Sequence, residues 1–158
     1  MNITDFLLAR IAEDEKLAQA ATGSSTRWES MTEETGNGEG IYYTVEEVGT
    51  YDSPILDLTR TDRTGRAQAE HIARHDPARV LAECAAKRAI IESHHPHDHG
   101  GQHGDAVFCD ECQWDHGDDA PRIDNQPVEN FGANPCRTLV ALAAVYKDHP
   151  GYQQEWAV

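Results

Sequence analysis

The sequence lacks the long hydrophobic runs that a membrane-spanning segment needs. No stretch of it approaches the roughly 20 continuous apolar residues of a membrane helix. Its first five residues, Met-Asn-Ile-Thr-Asp, also lack the basic start and apolar run of a signal peptide. We therefore expect a cytoplasmic protein without a membrane segment.

Aromatic residues are scarce as well, at 7% of the 158 residues, and hydrophobic residues make up 39%. A chain of this length is about one domain and is long enough to bury a core. With few large side chains that core is expected to be modest, so a metal cross-link would add usefully to its stability. We predict a single domain over residues 1–158.

Basic residues are outnumbered: 13 Lys and Arg stand against 28 Asp and Glu, which gives a net charge of −15 at pH 7. This balance excludes a uniformly basic surface, and direct nucleic-acid binding is not expected. Residues 28–59 contain eight acids and no Lys or Arg, whereas residues 60–93 contain seven Lys or Arg and five acids. Beside an ordinary solvated surface, this pattern leaves two interpretations: an acidic face that mimics nucleic acid, or a basic strip that docks an acidic partner.

The first third of the chain predicts a helix followed by a sheet. Apolar residues recur at helical spacing after Thr4, a predicted hydroxyl cap, and indicate an amphipathic N-terminal helix over residues 4–21. Residues 26–59 are rich in β-branched and aromatic residues around a glycine-rich turn, which predicts a small antiparallel three-stranded sheet. Such a sheet must pack one face on the helices, because small isolated sheets are barely stable.

The rest of the chain predicts helices on either side of an aperiodic segment. A long central helical region over residues 64–94 restarts at Asp76, a cap residue, with Pro77 at the first helical position. Residues 94–135 are rich in His, Asp, Gly and Pro, and a loop of this length needs something to organise it. A C-terminal helix is predicted over residues 136–149. The expected fold class is therefore α+β.

A Cys-x-x-Cys pair, Cys109 and Cys112, lies in the aperiodic segment and indicates a metal as the organiser. Two thiolates at this spacing can reach one tetrahedral zinc ion. Cys136 opens the last predicted helix, where the helix dipole favours a deprotonated sulfur. Four cysteines could form two disulfides, but the missing signal peptide and the Cys-x-x-Cys spacing favour metal. We predict one structural zinc ion bound by these three cysteines and a histidine.

The fourth ligand is left open by spacing alone. His94 and His95 lie three and four residues after Ile91, so either could continue the buried side of that helix. The alternatives are Cys84, water and four histidines of the loop: His97, His99, His103 and His116. Three thiolates and one imidazole leave no open position for water, which favours a structural zinc over a catalytic one.

Other chemistry in the sequence is weaker. A redox dithiol should open a helix that lowers a thiol pKa, whereas the charges of Asp110 and Glu111 between the cysteines raise it. Unreactive free thiols are a further alternative. His71 and His75 lie four residues apart on a helix, but the metalloprotease motif needs a glutamate where Ile72 stands, so a packing or helix-end role is favoured.

Four segments carry a resemblance: ITDFLLARIAEDE at residues 3–15, HIARHDPARVLAE at residues 71–83, PCRTL at residues 135–139 and DHPGY at residues 148–152. Together they resemble a family of small uncharacterised proteins from Streptomyces, related actinobacteria and their phages. The resemblance implies a Cys-x-x-Cys pair before the last cysteine and a histidine that closes the long helix. It therefore places His94 first as the fourth ligand, and it brings no established activity.

The function expected from the sequence is a non-enzymatic binding or regulatory module with a protein partner, of undetermined oligomeric state. No nucleophile elbow, phosphate-binding glycine loop or Ser/His/Asp pattern is present. One alternative is a metal-dependent hydrolase that uses His71, His75 and a loop carboxylate, Asp105 or Asp115. The other is an acidic nucleic-acid mimic that occupies a DNA-binding protein.

Overall fold

The structure is a computed structural model, and it describes residues 1–36, 40–50, 54–58, 62–94, 96–98, 107–109, 122–123, 126–127 and 136–157. Its helices are α1 (Ile3–Ala20), α2 (Arg63–Arg74), α3 (Pro77–Ser93) and α4 (Arg137–Ala143). Its strands are β1 (Trp28–Glu34), β2 (Ile41–Glu47), β3 (Pro54–Leu58), β4 (Pro96–Asp98), β5 (Val107–Cys109), β6 (Arg122–Ile123) and β7 (Gln126–Pro127). The predicted α+β class is confirmed.

The chain divides into two compact units. One comprises Met1–Ile11 and Ala86–Val158, and the other comprises Ala12–Ala85. Helices α1 and α3 each supply residues to both units. The single domain expected from the sequence stays a prediction. Among the helices of the described residues, none combines the length and apolar character needed to cross a bilayer.

The unit Ala12–Ala85 contains the predicted three-stranded antiparallel sheet, in the order β1-β2-β3. Alternate residues of β2 face the same side, and two of them, Tyr43 and Val45, are buried. They pack with Ala69 and Ala73 of α2 in one cluster. The small alanine side chains let α2 lie close to the sheet, which covers one of its faces as the sequence predicted.

The predicted break in the central helical region is confirmed. Helix α2 begins after Asp62, whose carboxylate accepts a hydrogen bond from the backbone N–H of Gly65 at 3.0 Å. Helix α3 begins after Asp76, whose carboxylate accepts from the N–H of Arg79 at 2.8 Å. Each aspartate satisfies a donor that the first helical turn leaves without an intrahelical partner.

The predicted cap of α1 is wrong by two residues. The side-chain oxygen of Asn2 accepts from the N–H of Asp5 at 2.7 Å, and its carbonyl accepts from Phe6 at 3.1 Å. Thr4 therefore lies inside the first turn. Asparagine caps helices at least as well as threonine, so the earlier residue begins the helix.

The unit Met1–Ile11 with Ala86–Val158 departs more from prediction. Helix α4 ends at Ala143, earlier than the predicted residue 149, and a 3₁₀ turn over Ala144–Tyr146 follows. After Ala143 the hydrogen bonds close over three residues, as between the N–H of Lys147 and the carbonyl of Ala144 at 3.3 Å, and such tight turns are frequent at the ends of α-helices. Residues 94–135 contain two short antiparallel ladders, β4–β5 and β6–β7, that were not predicted. Strands of two or three residues are too short to show a period in sequence.

Candidate metal site

The structure brings together three of the four predicted zinc ligands. One potential ligand atom from each of His94, Cys109 and Cys136 lies within 4.8 Å of the other two. The Nδ1 atom of His94 is 3.4 Å from the Sγ of Cys109 and 3.7 Å from the Sγ of Cys136. The fourth predicted ligand, Cys112, lies outside the described residues.

Each of the three side chains is positioned by a regular element. The N–H of His94 donates to the carbonyl of Ile90 at 3.1 Å, so the helical hydrogen bonding of α3 continues to this residue. Cys109 is the last residue of β5 and pairs with Pro96 of β4, two residues after His94. The short ladder therefore returns the chain to the end of α3, next to the imidazole.

Cys136 is brought to the same place from a later part of the chain. It is the N-cap residue of α4, and its carbonyl accepts a hydrogen bond from the N–H of Val140 at 3.0 Å. Its extended backbone, with φ −68° and ψ 154°, turns the chain into the helix. A thiol at this position lies near the positive end of the helix dipole, which favours the thiolate that a metal needs.

The geometry of the group suits a metal ion. In a tetrahedral zinc site with bonds of about 2.3 Å to sulfur and about 2.0 Å to nitrogen, neighbouring ligand atoms lie about 3.5 Å apart. The two sulfur–nitrogen distances, 3.4 and 3.7 Å, are close to this separation. Both thiols are buried, Cys109 at 2% exposure and Cys136 at 3%, and the imidazole is half-buried. This group of side chains could therefore hold a metal ion.

A family model that matches residues 1–158 accounts for the whole chain. It is the Family of unknown function (DUF6221). The chain belongs to this family. The membership of an uncharacterised family predicted from the sequence is thereby confirmed. Comparisons with curated proteins and with solved structures gave no match.

The alternative ligands in this DUF6221 protein are placed as follows. His95, His99, His103 and His116 lie outside the described residues, and the side chain of His97 is likewise not described. Cys84, the other cysteine considered, is buried at 1% exposure on α3, in the unit Ala12–Ala85. The structure thus places His94 beside two thiols. Spacing in the sequence alone could not distinguish His94 from His95 as a ligand.

The second histidine pair has a role at a helix end. The imidazole Nδ1 of His75 lies 2.8 Å from the carbonyl of His71 and donates to it, which satisfies a carbonyl in the last turn of α2. The two rings lie 4.3 Å apart between centroids. Asp105 and Asp115, the carboxylates of the hydrolase hypothesis, lie outside the described residues.

Proposed function

We propose that this DUF6221 protein is a non-enzymatic binding module whose fold is stabilised by one structural zinc ion. The ligands are His94, Cys109, Cys112 and Cys136. The observation that supports the proposal is the convergence of an imidazole nitrogen and two buried thiols within 4.8 Å of one another. Cys112 completes the set because a Cys-x-x-Cys turn delivers both of its sulfurs to the same ion.

The ligand set supports a structural role. Four protein ligands close a tetrahedral zinc site, whereas catalytic sites keep one position open for water or substrate. Donation from three thiolates also lowers the Lewis acidity of the ion. The same ion would tie the end of α3, the end of β5 and the start of α4 together. Zinc binding to a set of ligands so far apart in sequence would contribute directly to folding free energy.

The partner in this proposal is a protein with a basic surface. Side chains alternate along a strand, and Tyr43 and Val45 of β2 pack against α2. The side chains on the opposite face of β1 and β2 therefore point away from α2. This outer face contains Glu29, which pairs directly with Glu46, together with Glu33 and Asp57. Like charges opposite each other destabilise a sheet slightly, and the hydroxyl of Thr44 donates to the carboxylate of Glu46 at 3.1 Å. A face with this charge is complementary to a basic protein surface.

The same outer face supports a second candidate function, the nucleic-acid mimic. It places four carboxylates, those of Glu29, Glu33, Glu46 and Asp57, on three adjacent strands, a concentration of negative charge such as a nucleic-acid mimic presents. A mimic would occupy the nucleic-acid site of its partner, whereas a binding module would leave that site accessible.

The zinc proposal is tested by elemental analysis of untagged protein, with thermal melts before and after chelation. We expect about one zinc per chain and a large loss of stability on its removal. The Cys109→Ser and Cys136→Ser variants should lose zinc and melt far below wild type. Cys84→Ala is the matched control: it removes a buried thiol from α3 and should retain one zinc. If the two serine variants bind zinc and melt like wild type, the structural site is disproved.

The binding role is tested with a triple variant of the outer face, Glu29→Gln with Glu33→Gln and Glu46→Gln. A second triple variant, Asp5→Asn with Glu92→Gln and Glu155→Gln, removes the same charge elsewhere. A specific partner should be captured by wild type and by the second variant but not by the first. DNA that competes with this capture identifies the mimic, and indifference to DNA identifies the binding module. Equal capture by both variants would contradict any role for the outer face.

A further inference from the structure

A surface depression in the unit Ala12–Ala85 is lined by three arginines. Its volume is about 420 Å³, and the lining residues are Arg27, Arg74, Asp76, Ala78, Arg79 and Ala82. Arg27 directly precedes β1, Arg74 ends α2 and Arg79 lies in the first turn of α3. Folding therefore brings arginines from three parts of the chain to one depression, in a chain whose net charge is −15.

The negative charge at this depression is already engaged. Asp76 is 6% exposed, and its carboxylate accepts from the backbone N–H groups of Arg79 at 2.8 Å and of Trp28 at 3.4 Å. Its second oxygen also lies 3.3 Å from the Nε of Arg27. Three donors thus share one carboxylate. The side chain of Arg27 is 72% exposed, and its outer N–H groups have no partner among the residues that the structure describes.

The other two arginines differ in their pairing. Arg79 forms an exposed ion pair with Glu83, with 2.7 Å between Nε and Oε1. Exposed pairs one helical turn apart contribute little stability and exchange readily. Arg74 is exposed, and its guanidinium has no ion pair within the part of the chain that the structure describes. Within those residues, the positive charge of Arg74 at the depression is therefore not neutralised by an ion pair.

Side chains, not the end of α3, make this site. The N–H of Ala78 donates to the carbonyl of Thr26 at 3.0 Å, that of Arg79 to the carboxylate of Asp76, and that of Val80 to the carbonyl of Asp76 at 3.1 Å. Pro77 has no N–H. The first turn of the helix thus has no backbone donor left for a ligand, and an anion would have to be held by guanidinium groups.

We propose that this depression binds the phosphate group of a small phosphorylated molecule. Guanidinium groups present paired N–H donors that match phosphate oxygens, and a phosphate dianion is attracted to a pair of arginines more strongly than a singly charged carboxylate is. The volume lies within the range of small-molecule sites, about 300–1,000 Å³, and exceeds what a bare phosphate fills. Ala78 and Ala82 leave that space open, since neither side chain extends beyond its β-carbon.

The net charge of the molecule does not prevent such binding. At physiological salt the Debye length is about 8 Å, so acids elsewhere on the surface are screened from the three guanidinium groups. The basic strip predicted at residues 60–93 contains two of them, Arg74 and Arg79. The ligand of that strip is then a small anion, in place of the acidic partner considered from the sequence.

The test is a titration of ¹⁵N-labelled protein with inorganic phosphate at 0.15 M salt (about the physiological level), followed through the Nε–H signals of the arginines. We expect saturable shifts at Arg74 and Arg79, and none with added chloride. Arg74→Gln should weaken binding about tenfold, the effect of losing one charge-assisted hydrogen bond. Arg66→Gln is the control, because Arg66 lies on α2 and pairs with Glu70 outside the depression. Shifts that do not saturate, or equal weakening by both variants, would overturn the proposal.

Three further probes decide what carries the phosphate. Phenyl phosphate should bind more tightly than inorganic phosphate, because the depression has room for an organic group. Benzoate should bind at least tenfold more weakly than phenyl phosphate, and equal binding would contradict phosphate recognition. A phosphoserine peptide that binds more tightly than phenyl phosphate would replace the small molecule with a modified protein.

Discussion

At the scale of single residues, the carboxylate of Glu47 shows how one side chain can hold a loop. It accepts hydrogen bonds from the hydroxyl of Ser24 and from the backbone N–H groups of Ser24 at 2.8 Å and Ser25 at 3.3 Å. These bonds connect the end of β2 to the segment after α1. A β-carbon at Gly23 would meet the carboxylate of Glu47, so glycine lets this carboxylate lie close to the backbone without shifting.

The same bonds predict how stability depends on pH. The hydroxyl of Ser24, followed by the N–H groups of Ser24, Ser25 and Gly23, lowers the pKa of Glu47 from its usual 4.5. A carboxyl whose pKa is depressed by folding stabilises the protein above the unfolded pKa, and this contribution is lost as the pH falls through the folded value. We expect Glu47→Gln to lower the Tm at pH 7, and the difference from wild type to shrink below pH 4.5.

Thermal melts of wild type and Glu47→Gln from pH 7 to pH 3 test this expectation. The control is Glu34→Gln at an exposed position of β1, which removes the same charge and should leave the Tm nearly unchanged. A difference between wild type and Glu47→Gln that stays constant down to pH 3 would show that the carboxylate contributes nothing through its charge.

At the scale of elements, the first turns of α1 are held by an aromatic cluster. Phe6 is fully buried, and its ring centroid lies 5.1 Å from that of Trp156, with the rings of Tyr146, His149 and Tyr152 at 5.7–6.2 Å. The guanidinium of Arg10 lies 5.4 Å above the same ring. In a chain with few aromatics, this concentration makes Phe6 the centre of the aromatic cluster of the described residues.

Replacing Phe6 should therefore be costly. We expect Phe6→Ala to reduce the free energy of unfolding by about 3–5 kcal/mol, since it leaves a cavity among four rings. Phe6→Leu, which fills part of that volume, should cost less. Leu17→Ala is the control on the same helix, because Leu17 is 69% exposed. Urea denaturation measures all three, and a similar midpoint for Phe6→Ala and Leu17→Ala would contradict the central role of this ring.

The elements that could be predicted from sequence are those with a local cause. The helical spacing of α1, the β-branched and aromatic residues of β2 and the cap at Asp76 are each local features of a few neighbouring residues, and the structure agrees with the elements they predict. The bonds from Ser24 to Glu47 could not be predicted, because they join residues that only the tertiary fold brings together. The pairing of Pro96 with Cys109, which positions one thiol of the candidate site, could not be predicted for the same reason. The sequence suggested which residues could bind a metal, but the β4–β5 ladder that returns Cys109 to His94 had no periodic signal.

At the scale of the whole molecule, two observations bear on whether the chain unfolds as one domain. Each compact unit contains about half of the chain, and domains of that size are marginally stable alone. Helices α1 and α3 also run without a break from one unit into the other. Unfolding one unit would therefore cut two helices and expose their ends. We propose that the two units unfold together.

Hydrogen exchange before and after zinc removal tests this cooperativity. With the metal removed, amides of α4 near Cys136 should lose protection, because the thiolates no longer hold the start of that helix. If the chain is one domain, amides of β2 around Val45 should lose protection to the same extent, although they belong to the other unit. Cys84→Ala with zinc bound is the control and should keep both sets protected. Loss confined to α4 and its neighbours would show that the zinc proposal holds and that the single-domain prediction is wrong, while unchanged protection everywhere would count against the zinc itself.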